Sequence, residues 1–221
     1  MRRFQSMITI LSGILLFGIP AWSAPEIPAA APAVTTPAVT APAQTANSTT
    51  YKIDADHTNV GFKIRHLFSN VSGNFTEFEG TVDYDPKNPS AWKTSAVIHA
   101  ASINTNVAGR DKHLRSSDFF DVEKYPAIMF KSTGVENATE TSTKLKGDLT
   151  IHGVTKPVML DLQIHGVGKD PWGNTRAGFT ATTKINRKDF GLTWNKTLET
   201  GGVLVGDDVD ITLEVEAVQS K

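Results

Sequence analysis

The sequence predicts an all-β domain, an antiparallel meander of about eight strands closed into a barrel. Two observations carry this prediction. From Tyr51 onward, apolar and polar residues alternate with period two over most of the chain. The alternating runs reach about ten residues, longer than the usual five or six, and short turn signals separate them. DPKNPS (85–90), HGVTKP (152–157) and KDPWGN (169–174) are the clearest of these. Long antiparallel strands with short connections favour closure, because closure removes the exposed edges.

The chain has 221 residues and divides into three parts. Residues 1–24 read as a secretory signal peptide: Arg2 and Arg3 precede an apolar run, and Ala21 and Ser23 suit a cleavage site near Ser23/Ala24. The expected location is therefore periplasmic or secreted. Residues 25–50 form an Ala/Pro/Thr-rich linker expected to be disordered, since it holds too little apolar surface to offset chain entropy. Residues 51–221 form the folded domain, which is long enough to bury a full core.

Within that domain the first strand covers 59–66, with Val60, Phe62, Ile64 and His66 on one face. Further strands are expected over 73–84, 92–103, 128–136 and 144–152. Val158, Leu160, Leu162 and Ile164 then alternate with polar or exposed partners, as do Val209, Ile211, Leu213 and Val215. Between them lies a strand over 175–186. HGVTKP joins two alternating runs and reads as a hairpin connection. Two segments break the pattern. Residues 106–121 suit a short helix or lid with Thr105 or Asn106 as its cap. Residues 186–193 suit a turn or single helical turn ending at Gly191.

Composition excludes several classes. The chain holds 22 basic and 23 acidic residues, so no basic excess argues for nucleic acid or for electrostatic docking on anionic lipid. Cysteine is absent, which rules out a thiol nucleophile, a Cys-ligated metal and disulfide staples. There is no Gly-rich phosphate loop and no nucleophile elbow.

The densest chemistry lies in GRDKHLRSSDFFD (109–121). Arg110, His113 or Arg115 suits a polar headgroup, because guanidinium donates in a planar fork. The same charges suit a clamp that pins the segment across a barrel end. Asp111 with His113 offers a hydrolase or isomerase reading. Asp56–His57–Thr58 resembles a relay only by adjacency and suits a turn stabilised by side chain-to-backbone bonds. Arg187 and Asp189 suit closure of a barrel end. The aromatics Phe62, Phe75, Phe78, Trp92, Phe130, Phe179 and Trp194 are core in a filled barrel and lining in a hollow one.

Several stretches together resemble the YceI-like family of periplasmic, lipocalin-like polyisoprenoid-binding proteins. They are IDADHTNVGFKIRH (53–66), GNFTEFEGTVDYD (73–85), SINTNVAGRDKHLRSSDFFDVEKYPAIMF (102–130), GDLTIHGVTKPVMLDL (147–162), INRKDFGL (185–192) and VGDDVDITLEVEA (205–217). The resemblance implies an eight-stranded antiparallel lipocalin-like barrel with a helix beside it. It implies an apolar tunnel holding an isoprenoid quinone or a polyprenyl phosphate, with no catalytic residue, no metal and no required cofactor. Arg110 and His113 would then meet the headgroup, and Leu114, Phe119 and Phe120 the first part of the tail. Phe62, Ile64, His66, Phe75, Phe78, Ile98, Phe130, Leu162, Phe179 and Trp194 would line the tunnel. A membrane protein donor or acceptor and a homodimer are compatible partners; nucleic acid is not. A filled barrel serving as a protein-interaction module is the remaining alternative.

Overall fold

The structure, a computed structural model, describes residues 48–199 and 201–220. The signal peptide (1–24) and the linker up to residue 47 lie outside the described residues. Strand β1 spans Thr49–Ile53, so Thr49 and Thr50, expected in the linker, belong to the barrel. The reason is pairing: Thr49 lies opposite Tyr84 and Thr50 opposite Asp83, and the Thr50 hydroxyl donates to the Asp83 carboxylate at 2.6 Å. Threonine is a good strand residue once its backbone is paired.

The remaining strands are β2 (Asn59–His66), β3 (Ser69–Phe75), β4 (Phe78–Tyr84), β5 (Lys93–His99) and the two-residue β6 (Ile103–Asn104). Helix α1 (Ala108–Arg115) follows, then β7 (Ala127–Glu136), β8 (Ser142–Ile151), β9 (Val154–Lys169), β10 (Thr175–Asn186) and β11 (Val205–Gln219). Neighbouring strands pair antiparallel in the order β1-β4-β5-β7-β8-β9-β10-β11, and β11 pairs back onto β1 through Tyr51, Lys52 and Ile53. The ring is closed. β2 continues the line of β1 along β11, and it pairs with β3, which pairs with β6. Thus β1/β2, β3/β4 and β5/β6 are three broken staves beside five unbroken ones, an eight-stranded up-and-down barrel. A 3-10 turn (Ala55–His57) breaks the first stave, where the Asp54 carboxylate accepts from the Asp56 N–H.

Local chemistry sets the connections. His152 and Gly153 take φ 53° and 75°, the left-handed pair that a two-residue hairpin requires. A Cβ on Gly153 would also stand 2.6 Å from the Tyr125 ring. A 3-10 turn (Arg187–Phe190) ends at Gly191, φ 80°. Helix α1 differs from expectation at its start. Its cap position is Val107, with no side-chain cap, because Asn106 is left-handed (φ 62°) and the Thr105 hydroxyl is committed elsewhere.

The core is packed at both ends, and between them a smaller buried cluster of Leu145, Leu160 and Ala181 lies along one wall of an unfilled bore. At the end carrying α1, Phe75, Ile103, Leu149, Ile151, Phe190 and Leu192 are buried together. At the opposite end Tyr51, Tyr84, Trp92, Phe179, Ala177 and Ala217 form a second cluster. Between them Val60, Phe62, Phe130, Leu162, Ile211 and Leu213 point inward yet keep partial exposure. Inward-facing apolar residues of a closed barrel retain accessible surface only where the bore is unfilled.

Candidate ligand cavity

That bore is a cavity of about 210 Å³ running from Ile151, Arg187, Phe190 and Leu192 to Tyr84 and Trp92. Every stave contributes to its wall. The alternation that makes the strands places one residue in two inward. Phe62 packs against Phe75 at 5.9 Å between ring centroids, and Phe120 meets Phe75 edge-on at 5.9 Å. At the opposite end the Tyr84 ring lies 4.7 Å from Trp92 and 5.4 Å from Phe179.

Several of the wall's polar groups are engaged in protein bonds. The Thr58 hydroxyl donates to the Glu216 carbonyl at 3.2 Å, and that of Thr183 to the Met159 carbonyl at 2.8 Å. Arg187 is the one cationic side chain in the wall among the described residues, 3% exposed. Its Nε donates to the Gly206 carbonyl at 2.8 Å, and Nη1 donates to the carbonyls of Leu192 and Trp194, the latter at 2.9 Å. Asp207 lies 3.4 Å from Nη2. Burial pulls the Arg187 pKa down, partly opposed by the Asp207 charge. Among the described residues no buried side-chain polar atom lacks a partner. The cavity therefore offers a guest a surface of phenyl, isopropyl and methyl groups with few unused hydrogen-bonding atoms.

Of the residues the sequence nominated, Phe62, Phe75, Phe78, Ile98, Phe120, Phe130, Leu162 and Phe179 line the cavity. Seven do not. Ile64 and His66 lie on β2 level with Val209 and Val205, where Arg187 and Phe190 already close the bore. Leu114 packs on the outer side of the α1-end cluster. Phe119 and Trp194 meet His113 edge-on in a three-ring cluster, at 5.1 Å and 4.8 Å from the imidazole. That cluster joins α1 to the β10–β11 connection outside the cavity.

The charged segment is a clamp. The Asp111 carboxylate, 7% exposed, accepts from the Thr105 N–H at 2.9 Å and from its hydroxyl at 2.5 Å. Arg110 donates to the Thr105 hydroxyl and carbonyl, at 2.7 and 2.8 Å. Arg115 donates to the carbonyls of Ala101 and Ile103, at 2.6 and 2.8 Å. These cations satisfy backbone acceptors where β6 ends and no strand continues the sheet. Neither Arg110 nor His113, expected to meet a headgroup, lines the cavity. His113 Nε2 pairs with Asp118 at 2.9 Å, while Asp111 is bonded to Thr105.

A second ionic cluster, unread in the sequence, sits on the outer wall. Arg176 contacts Asp170, Asp54 and Glu216 at 2.8, 2.6 and 2.5 Å. Its guanidinium holds the Asp170 and Asp54 carboxyls below their usual range. Asp54, His57 and Glu216 are close enough to share a cation; the Arg176 guanidinium already serves the two carboxylates, and His57 Nδ1 lies 2.9 Å from Asp54. Trp92, read as core or lining, does line the cavity, and Tyr84, Ile211, Leu213 and Val215 join it without having been nominated. The period-two faces contained the last three, and only the closed register shows that these faces border a void.

The site defines a class: a closed eight-stranded antiparallel barrel with plugged ends and an apolar interior. Residues 51–217 match the model of the YceI-like domain, and the chain belongs to that family. Protein YceI of Escherichia coli O157:H7 is 45% identical over 174 residues, 77% of this chain and 87% of that protein. The crystal structure of the Campylobacter jejuni YceI protein is 39% identical, with TM-score 0.63 over 76% of this chain and 96% of the other. A polyisoprenoid binding domain from Saccharophagus degradans shares the fold at 15% identity, with TM-score 0.59 over 77% of this chain and 98% of that domain.

Proposed function

We propose that the protein is a carrier that holds an isoprenoid lipid in its barrel and performs no chemistry on it. The observation that carries this reading is the continuous apolar cavity between two packed ends. Each methylene-sized group moved from water into such a wall contributes about 0.8 kcal/mol. A prenyl chain therefore gains affinity from length alone. The Saccharophagus degradans domain, described as polyisoprenoid binding, supports the same cargo class.

Within that class an uncharged isoprenoid quinone fits better than a polyprenyl phosphate. Among the described residues the only cation in the wall, Arg187, is committed to backbone carbonyls and Asp207. A buried phosphate would lack the charge partner that its desolvation demands. The apolar leader with its basic start supports a periplasmic or secreted location. On this reading the barrel needs no cofactor besides the lipid.

The test is native mass spectrometry of protein purified without detergent, followed by solvent extraction. A quinone near one per chain is the expected result. An empty protein that refuses both added isoprenoid quinone and added polyprenyl phosphate would overturn the carrier reading. Preference for the phosphate would overturn only the choice of headgroup.

A further inference from the structure

The β2–β3 connection breaks the local rules of a two-residue hairpin. Such turns favour Asn-Gly or Gly-Gly, because their central residues take positive φ. Here the two residues are Leu67 and Phe68, with Leu67 at φ 48°. A bulky side chain in that conformation is strained; Leu67 itself is half-buried, and the turn leaves the Phe68 ring beside it 92% exposed. A turn that breaks a local rule and presents a phenyl ring to solvent is where function is expected.

The adjoining connection repeats the feature. The Leu67 N–H donates to the Leu204 carbonyl at 3.0 Å, and Val203, next to Leu204, is 52% exposed. Val203 is held in a bridge to Thr197. Two short turns, bonded to each other, thus present apolar side chains to solvent at one barrel end. That end adjoins the cavity. Arg187, in the cavity wall, donates to Gly206, and a Cβ on Gly206 would stand 3.0 Å from that of Arg65, two residues before Leu67. Arg65, Lys196 and Glu199 are exposed on the same segments.

Size decides the occupant. A stable protein interface buries about 1,000 Å² or more, far beyond two isolated side chains. Shallow insertion of a phenyl and an isopropyl group into the acyl boundary of a bilayer needs no such area and is reversible. We propose that Phe68 and Val203 form a membrane-contact site that sets this end of the barrel against a lipid bilayer for cargo exchange. The inference rests on the carrier reading, which makes a bilayer the source of the cargo.

The exposed Trp172 (80%) supplies the rival surface at the opposite end. Its turn obeys local rules: the Asp170 carboxylate accepts from the Trp172 and Asn174 N–H groups at 3.0 and 2.8 Å, and Gly173 takes the positive φ.

The test is flotation of the full chain with phosphatidylethanolamine/phosphatidylglycerol vesicles, comparing Phe68→Ser, Val203→Ser and Trp172→Ser. Removing the phenyl ring from an apolar boundary should lower vesicle partitioning about tenfold, Val203→Ser should lower it less, and Trp172→Ser should leave it unchanged. Because the chain contains no cysteine, Phe68→Cys labelled with an environment-sensitive fluorophore gives a second readout. Its emission should shift to the blue on adding vesicles, and the same label at Trp172→Cys should not respond. A wild-type chain that does not float, a Phe68→Ser chain that floats equally, or loss confined to Trp172→Ser overturns the proposal. Native mass spectrometry on the same samples keeps the two readings apart. Loaded protein that does not float overturns the contact site and leaves the carrier standing. Protein that floats through Phe68 yet refuses added isoprenoid quinone and polyprenyl phosphate overturns the carrier, and with it the cargo-exchange role of the contact site.

Discussion

Filling the bore should move affinity and stability in opposite directions. Ala181 lies midway along β10, opposite Leu162 of β9 and Leu213 of β11, and all three line the cavity. Ala181→Phe projects a ring into that space, occupying about the room of one five-carbon isoprene unit. At about 0.8 kcal/mol per carbon group, the excluded unit costs the ligand about 4 kcal/mol, near a thousandfold in Kd. The same ring should stabilise the delipidated barrel, because burying a phenyl side chain contributes about 1.5–3 kcal/mol against about 1 kcal/mol or more of fitting strain. The assay is titration of delipidated protein with an isoprenoid quinone, beside calorimetry of the same protein without ligand. The expected outcome is a large loss of affinity with a Tm raised by a few degrees. A variant that binds within threefold of wild type, or whose empty form is destabilised, would show that Ala181 faces a filled core.

Three further outcomes follow from individual contacts. Arg187→Met orphans the Gly206, Leu192 and Trp194 carbonyls and should cost about 3–5 kcal/mol in urea unfolding; a loss below about 1 kcal/mol would contradict its role as the clamp of this end. Gly147→Ala sets a Cβ 2.4 Å from the Phe130 ring and 2.8 Å from the Lys131 carbonyl. It should destabilise by about 1–3 kcal/mol and shorten the longest prenyl chain retained, read by native mass spectrometry; unchanged chain selection would mean that Phe130 does not shape the bore. The third concerns pH. Asp170 and Asp54 have depressed folded pKa values, so their stabilisation is present above the ordinary carboxylate range and is lost as pH falls through the folded values. Arg176→Met leaves Asp54, Asp170 and Glu216 without their shared cation, so its deficit should be largest at neutral pH and shrink in acid. Denaturant melts at neutral and acidic pH measure this, and a constant deficit would refute the sign.

The staves were legible because alternation is a local property. Val209, Ile211, Leu213 and Val215 declare their inward face within seven residues. Whether that face meets packing or space is a sum around the whole ring, and no stretch of sequence contains it. The charged segment was legible as charge and opaque as geometry, since the partners of Arg110 and Arg115 are backbone carbonyls of Thr105, Ala101 and Ile103. A carbonyl has no sequence signature. The Arg176 cluster was hidden by distance, with Asp54 lying 122 residues away along the chain.

The disposition of the guanidiniums constrains selectivity. Arg110, Arg115 and Arg187 all donate to backbone carbonyls at the same barrel end. They close it against solvent and leave little charge for a guest. Selection must then come from shape more than from headgroup contacts. The bore is set where Phe62 lies over Gly73, and Phe130 over Gly147, because a Cβ at either glycine would stand about 2.5 Å or less from the ring. Those glycines let the rings lie flat against the wall and keep the tunnel open. On the carrier reading proposed above, such a barrel would discriminate by chain length and cross-section, which is the selectivity that a cargo with a long apolar body requires.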